Sequence, residues 1–277
     1  ATTAIYTLSL HDALPIYSQT ETQTVHYRDF LIRSWFSDAG GSSLRVGEIN
    51  DMFDRIYVMN LDRRPDRWKN VRRQVQRHKI RTHRFPAVDG YREVVKRDWE
   101  QYFARPLQTV PAGIEPLHSF TEKFTRYHHY VARIQFMEEK FNRKAVQSPG
   151  AYGYALSYIA ILEEAVRKSF HRILIFDDDI LLHRDFRKAF SEGIPRLPAD
   201  WYLIMLGAMQ HNWDPWISWV NDTFYRCHGS SVASHAVGID RKMFLPLLWY
   251  ARRLDLPIDE GALFHIQIGR ASCRERV

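Results

Sequence analysis

The chain has 277 residues, of which 45% are hydrophobic and 26% are charged. This composition allows an α/β domain with a packed core and excludes a largely disordered chain. Two cysteines, Cys227 and Cys273, exclude a disulfide framework and a four-cysteine zinc site. The net charge of +7 favours an anionic partner, such as a nucleotide diphosphate, a nucleic acid or an acidic membrane surface.

Both ends of the chain look foreign to a folded protein. Residues 1–16 and 268–277 contain the strings TLSLHDALPI and IGRASCRERV, which resemble translated sequencing-adapter DNA. We therefore expect both segments to be artefacts, with a targeting signal, a membrane anchor or catalytic residues lost beside them. Residues 17–50 are polar and weakly periodic, which predicts an irregular lead-in to a domain over 51–267.

Short apolar runs alternate with helical patterns along this domain. A helix is predicted near Pro65, after Asp62, and another over 151–169. Strands are predicted at 55–60, 82–88, 172–176 and 202–206. Because the last two runs lack polar alternation, these strands should be buried on both faces. The pattern predicts a single α/β domain in which helices flank a mostly parallel sheet.

A long insert, residues 91–149, follows the second predicted strand. Apolar side chains recur at helical spacing between Phe120 and Ile134, which predicts an amphipathic helix there. The adjacent His128 and His129 would point to different sides of this helix, so a metal ion shared by the two is not expected.

Three consecutive carboxylates, Asp177, Asp178 and Asp179, directly follow the apolar strand at 172–176. Their mutual repulsion should raise at least one pKa unless a cation joins them. Mn²⁺ or Mg²⁺ suits oxygen ligands and bridges carboxylates to a diphosphate. Since alternate residues of an extended segment face the same way, Asp177 and Asp179 are the predicted metal ligands, although a turn could bring in Asp178. The alternative is a helix-capping cluster that pairs with lysine or arginine.

Polar residues also follow the first two predicted strands. Ligands of open parallel sheets bind in the crevice beyond the carboxyl ends of the strands. Arginines after Asn60 and Asp62 could bind phosphate, and Asp89 could accept a hydrogen bond from a ribose or a base. The alternatives are a solvated helix start for the arginines and a simple Asp-Gly turn at Asp89.

At these positions the sequence resembles the family 25 glycosyltransferases, which include bacterial lipooligosaccharide galactosyltransferases and collagen galactosyltransferases. The blocks that carry the resemblance are 60–67, 85–90, 150–157 with 173–180, 234–236 and 256–260. The chain departs from the family pattern at Tyr158, where histidine is usual. It also has Asp177 where the family often has glutamate, a change that keeps the charge.

The resemblance implies a GT-A-like fold with one nucleotide-sugar-binding domain. It also implies an inverting transfer of a hexose, with galactose favoured, from a UDP-sugar to a glycan, lipid-linked or protein hydroxyl. Asp259 and Glu260 match the family's Pro-x-Asp motif and are candidates for the base that takes the acceptor proton, the alternative being a helix cap. His235 is expected to be structural. The donor-binding candidates are Asn60, Asp62, Arg64, Arg67, Asp89 and Asp178.

Two other kinds of function stay open on the sequence. One is a metal-dependent phosphotransferase or nuclease, and the other is a non-catalytic basic domain that binds nucleic acid or a membrane surface. Carboxylates repel phosphate unless a metal is present, so a nucleic-acid partner is not expected. Peripheral membrane association stays open, in the cytoplasm of a bacterium or in the ER or Golgi lumen of a eukaryote.

Overall fold

The structure is a computed structural model that describes residues 48–104, 146–199, 201–210, 217–221, 223–227, 231–254, 256–259 and 263. Within these ranges, helices cover both faces of a five-stranded sheet. Several predicted features lie outside the described residues, namely most of the lead-in, the helix between Phe120 and Ile134, His128, His129, Glu260 and the two foreign-looking ends.

The strands are β1 (Arg55–Asn60), β2 (His83–Pro86), β3 (Arg172–Asp177), β4 (Leu203–Gln210), β5 (Ile217–Trp219), β6 (Tyr225–Cys227) and β7 (Ser231–Asp240). The helices are α1 (Ile49–Met52), α2 (Pro65–Arg77), α3 (Glu93–Ala104), α4 (Pro149–Arg167), α5 (Phe186–Gly193) and α6 (Phe244–Arg253). Among the described helices, none has the length and apolar character needed to cross a membrane.

The main sheet has the order β2-β1-β3-β7-β4, and β5 pairs with β6 separately. β1 is parallel to β2 and to β3, whereas β7 is antiparallel to both β3 and β4. The predicted α/β class with flanking helices is therefore confirmed, and the sheet is mixed because β7 runs against its neighbours. Strands β5, β6 and β7 were not predicted from the sequence.

Side chains alternate between two cores on opposite faces of the sheet. On one face, Leu174 and Phe176 of β3 pack in the core that includes Val71 and Val75 of α2. On the other face, the neighbouring strand residues pack against helices α4 and α6. The terminal strand residue Asp177 therefore has the parity of the α4 face.

Several predicted boundaries shift for local reasons. Helix α4 begins at Pro149 rather than at residue 151, because Ser148 caps it by accepting a hydrogen bond from the Ala151 N–H at 3.4 Å. Strand β2 ends at Pro86, before the predicted residue 88, because the Val88 N–H bonds to a side chain of α4 instead of to a strand.

Candidate active site

The carboxyl ends of β1, β2 and β3 meet at one edge of the sheet. Asp177 lies opposite Met59 of β1, and Asn60 lies opposite Pro86 of β2. We call this region the acid edge and define it by Asn60, Asp89 and Asp177–Asp179. Its position beyond parallel strand ends is where ligands of open α/β sheets bind.

Close backbone packing places the loop after β2 at the acid edge. A Cβ atom on Gly90 would lie 1.5 Å from a carbonyl oxygen of α4, and one on Gly153 would lie 2.1 Å from the carbonyl oxygen of Val88. The Ser157 hydroxyl accepts from the Val88 N–H at 2.8 Å. These contacts leave no room for side chains at the two glycines and fix Asp89 beside α4.

Asp178 and Asp179 share a cationic partner. The Arg67 guanidinium donates to Asp178 at 3.1 Å and to Asp179 at 2.9 Å. Burial raises the pKa of the Asp178 carboxyl, while its bonds from Asn60 and Arg67 act in the opposite direction. Residues 178–179 form a turn, so the strand alternation that grouped Asp179 with Asp177 does not extend past β3. The arginine pairing that the capping alternative required is thus present for these two carboxylates.

Asp177 differs from the two carboxylates that follow it. Its Oδ1 atom is buried, and within the described part of the chain no hydrogen-bond donor reaches that atom. Burial raises the pKa of this carboxyl well above its usual value, and the negative charges of Asp179 and Asp178 add to the effect. The hydroxyl of Tyr154 acts in the opposite direction. A bound cation would therefore relieve more electrostatic cost at Asp177 than at its neighbours.

Asn60 organises the acid edge from inside the protein. Its side chain is only 1% exposed. The amide nitrogen donates to Asp178 Oδ2 at 2.6 Å and to the Arg64 carbonyl at 3.0 Å, and the amide oxygen accepts from Arg84 Nε at 2.8 Å. Asn60 thus joins the ends of β1, β2 and β3. Its contact with a nucleotide-sugar donor stays a prediction.

Two of the predicted phosphate-binding arginines, Arg63 and Arg64, form ion pairs at the rim of the site, and so does Arg84, which was not predicted. The pairs, with their N–O distances, are Arg63–Asp89 (2.7 Å), Arg64–Asp66 (2.7 Å) and Arg84–Asp62 (2.8 Å). The Arg64 hydrogen bond lowers the pKa of Asp66 to about 2. A phosphate would therefore compete with Asp66 for the Arg64 guanidinium.

Asp259 reaches the acid edge from the far end of the chain. Its Oδ2 atom accepts from the Ala233 N–H at 3.0 Å, and Ala233 has a left-handed φ of 77°, which is strained for alanine. Burial is the main cause that raises the pKa of Asp177 and of the hydroxyls of Tyr154 and Tyr158, and the negative charge of Asp259 adds to the effect in each case. The predicted base and a predicted metal ligand therefore share one region, while Glu260 lies outside the described residues.

The sequence analysis assigned no role in the site to Tyr154, Tyr158 or Ser234. The Tyr154 hydroxyl lies 2.6 Å from Ser234 Oγ and so links α4 to β7. A spacing of four residues on a helix puts Tyr154 and Tyr158 on one face, a pattern that could have identified them. His235, beside Ser234, is only 5% exposed, and burial lowers its pKa while the charge of Asp179 opposes that shift.

The side chains at the acid edge are suited to a divalent cation. The ion pairs described above join four guanidinium groups, Arg63, Arg64, Arg67 and Arg84, to five carboxylates, Asp62, Asp66, Asp89, Asp178 and Asp179, and Asp177 adds a sixth carboxylate. Within the described ranges, no three His, Cys, Asp or Glu side chains are arranged to hold an ion by themselves. Mg²⁺ commonly takes only one or two carboxylates and completes its shell with substrate phosphates and water. The Asp177 carboxylate would supply one such ligand.

Comparison with known proteins gives the family. Residues 53–228 match the family model described as glycosyltransferase family 25 (LPS biosynthesis protein). The chain belongs to glycosyltransferase family 25. The resemblance inferred from the sequence blocks is thereby confirmed, and the α/β fold with its mixed sheet is consistent with a GT-A-like glycosyltransferase.

Several curated members of family 25 are similar to this chain. A glycosyltransferase 25 family member from Drosophila melanogaster is 29% identical over 135 residues, which are 49% of this chain and 17% of that protein. Procollagen galactosyltransferase 2 of Mus musculus is 24% identical over 158 residues, 56% of this chain and 21% of that protein. Inactive glycosyltransferase 25 family member 3 of Homo sapiens is 24% identical over 163 residues, 58% and 22% of the two chains. The chain thus spans about a fifth of the length of these relatives.

Proposed function

We propose that this chain is a metal-dependent inverting glycosyltransferase that moves a hexose from a UDP-sugar to a hydroxyl of a glycan, lipid-linked or protein acceptor. Family membership supports the reaction class, and the name of procollagen galactosyltransferase 2 favours galactose. The observation that carries the proposal is the acid edge, where the buried Asp177 oxygen lacks a donor and Asp259 lies within electrostatic range.

Donor binding would use charges that are already concentrated at the acid edge. Asp177 and Asp179 would hold Mn²⁺ or Mg²⁺, which when bound stabilises negative charge on the departing nucleotide diphosphate. Arg64 is a guanidinium that could exchange partners, since its present partner Asp66 is exposed. Arg67 would continue to hold Asp178 and Asp179 in place, and Asp89 would face the nucleoside.

The transfer step would use Asp259 as the base. Its carboxylate takes the proton of the acceptor hydroxyl while that oxygen forms a bond to the anomeric carbon. The bond between this carbon and the phosphate oxygen breaks on the opposite side, which inverts the configuration and releases UDP. The hydrogen bond from the Ala233 N–H supports this role because it holds the Asp259 carboxylate in one orientation.

One alternative is favoured by specific observations. The similar human protein is named inactive, and Arg67 already pairs with two of the three acid-run carboxylates. Both facts would fit a chain that binds a nucleotide without transferring a sugar. A nuclease or a basic nucleic-acid-binding domain receives no comparable support, because the family match is to glycosyltransferases.

The test is a donor panel with the full chain. UDP-galactose, UDP-glucose, UDP-N-acetylglucosamine and GDP-mannose are incubated with a lipopolysaccharide glycan or a collagen peptide, and labelled sugar on the acceptor is counted. We expect turnover of one UDP-hexose that EDTA abolishes and that added Mn²⁺ or Mg²⁺ restores. Nucleotide release without labelled acceptor would count as hydrolysis and not as transfer.

Two results would contradict the proposal in different ways. Mn²⁺-dependent UDP binding without any transfer would favour the non-catalytic alternative. Transfer that persists after exhaustive EDTA treatment would refute the metal dependence and leave the glycosyltransferase activity supported.

A further inference from the structure

Tyr158 is a buried hydroxyl at the acid edge for which the proposed function has no use. Its side chain is fully buried, and among the described residues its hydroxyl has no hydrogen-bond partner. One helical turn earlier lies Tyr154, whose ring centroid is 6.0 Å away and whose hydroxyl contacts Ser234. A buried hydroxyl without a partner destabilises the folded state, because its lost hydrogen bonds to water are not replaced. Such a group calls for an explanation.

The complementary group is the carboxylate of Asp177. Its Oδ1 atom is a buried acceptor without a donor, and Tyr158 is a buried donor without an acceptor. Strand parity puts Asp177 on the face that α4 covers, whereas Asp178 turns to Arg67 on the other face. Asp177 is also the first of the carboxylates whose charge raises the pKa of the Tyr158 hydroxyl, followed by Asp259. Both groups therefore lie in one buried region, and each provides what the other lacks.

We propose that Tyr158 is a positioning residue for Asp177: its hydroxyl donates a hydrogen bond to the Asp177 carboxylate when a divalent cation and a nucleotide occupy the acid edge. This bond would fix the orientation of the carboxylate and direct its other oxygen to the cation. The inference rests on the proposed function, because it requires a cation at the acid run. Loss of an outer-shell hydrogen bond to a metal ligand typically lowers metal affinity by about 10–100-fold.

The experiment compares Tyr158→Phe with Tyr57→Phe in the full chain. Tyr57 is a matched control because its hydroxyl is also buried and also interacts with a carboxylate, but that carboxylate is Glu164 and not one of the acid run. Thermal unfolding is measured without ligand and then with Mn²⁺ titrated at saturating UDP. The Mn²⁺ dependence of sugar transfer is measured in parallel.

We expect Tyr158→Phe to weaken the apparent Mn²⁺ affinity by about 10–100-fold while its ligand-free unfolding midpoint stays the same or rises. Tyr57→Phe should leave the Mn²⁺ affinity unchanged. Equal Mn²⁺ affinity in Tyr158→Phe and the parent would overturn the inference. If the ligand-free unfolding midpoint also fell, the hydroxyl would have a structural role, such as binding an internal water. A parent protein that shows no Mn²⁺-dependent shift with UDP would instead refute the proposed function.

Discussion

The two edges of the main sheet, at the amino and carboxyl ends of its parallel strands, differ in how their carboxylates are hydrogen-bonded. At the amino ends of β1 and β2, a cavity of about 360 Å³ is lined by Asn50, Asp51, Phe53, Asp54, Arg55, Ile56, Arg81 and His83. There Asp54 accepts two backbone N–H bonds, at 2.6 and 2.8 Å. The Arg55 guanidinium packs over the Phe170 ring at 5.3 Å, although its Nε atom has no hydrogen-bond partner among the described residues. At the acid edge, by contrast, a buried carboxylate oxygen of Asp177 lacks a donor.

This difference shows that the position of a cavity and the position of perturbed carboxylates need not coincide in this fold. The amino-edge cavity has volume, but its carboxylate Asp54 accepts hydrogen bonds from the backbone N–H groups of His171 and Arg172. The acid edge instead keeps an electrostatic cost at Asp177, and perturbed carboxylates of this kind are concentrated at functional sites. We therefore expect substitutions at the acid edge to impair sugar transfer, and matched substitutions at the amino edge to leave it unchanged.

The largest effect is expected from Asp177→Asn, which removes the charge and keeps the shape. Transfer should fall by about 1000-fold, because a bound cation contributes several kcal/mol to stabilising the charge of the transition state. Asp51→Asn, at the amino edge and half exposed, should transfer sugar at the parental rate. Equal losses in the two variants would contradict the contrast between the edges.

The same substitution should stabilise the ligand-free protein at neutral pH. The pKa of Asp177 is raised above that of an unfolded chain, so this group lowers the stability of the folded state as pH rises from about 4 towards the raised value. Asp177→Asn should lose this part of the pH dependence and unfold at a higher temperature at pH 7 than the parent does. Thermal unfolding of the variant and the parent between pH 4 and pH 8 measures both effects. A variant less stable than the parent at pH 7 would show that the folded protein already stabilises the charged carboxylate.

Asp259→Asn should lower the turnover number by about 100-fold or more, because general-base catalysis typically contributes 10²–10⁴-fold. Its amide oxygen can still accept from the Ala233 N–H, so folding and donor KM should be preserved. Steady-state kinetics over donor concentration separates the two constants. Unchanged turnover would move the base to Glu260 or to another residue.

Asn60→Ala should lower the free energy of unfolding by about 1–3 kcal/mol, since it leaves Asp178 and Arg84 without the bonds that Asn60 makes. The matched change at the amino edge is Asn50→Ala, where the hydrogen bonds to Lys79 and Arg81 are exposed. Urea denaturation of both variants gives the comparison. A larger loss at Asn50 would mean that the amino edge is the more tightly constrained region.

The smallest effect is expected from Arg81→Gln at the amino edge. The Arg81 side chain is 77% exposed, and its nearest carboxylate, Asp51, lies 3.8 Å away. Substitutions of this kind change stability by less than about 0.5 kcal/mol. Both urea denaturation and transfer kinetics should match the parent, and a tenfold loss of transfer would make the amino-edge cavity part of the site.

Continuous apolar runs made the strands around the site predictable. The predicted bounds of β1 agree with the structure, and β3 extends the predicted run by one residue, to Asp177. The acid run could be assigned to the carboxyl end of a buried strand for the same reason, since that placement depends only on adjacent residues. The antiparallel direction of β7 was not predicted, because the direction of a strand is set by distant connections rather than by local composition.

Local pattern alone determined strands β1 to β4, the α4 helix, the acid run and, through the order of its motifs, the family to which the chain belongs. Only the tertiary structure decided how the three carboxylates are divided between partners. Arg67 takes Asp178 and Asp179, while Asp177 turns to the tyrosines of α4 and is joined by Asp259. These contacts link positions far apart in the chain, as the separation of 118 residues between Asn60 and Asp178 illustrates. Periodicity carries no information about such separations, because packing between elements sets them.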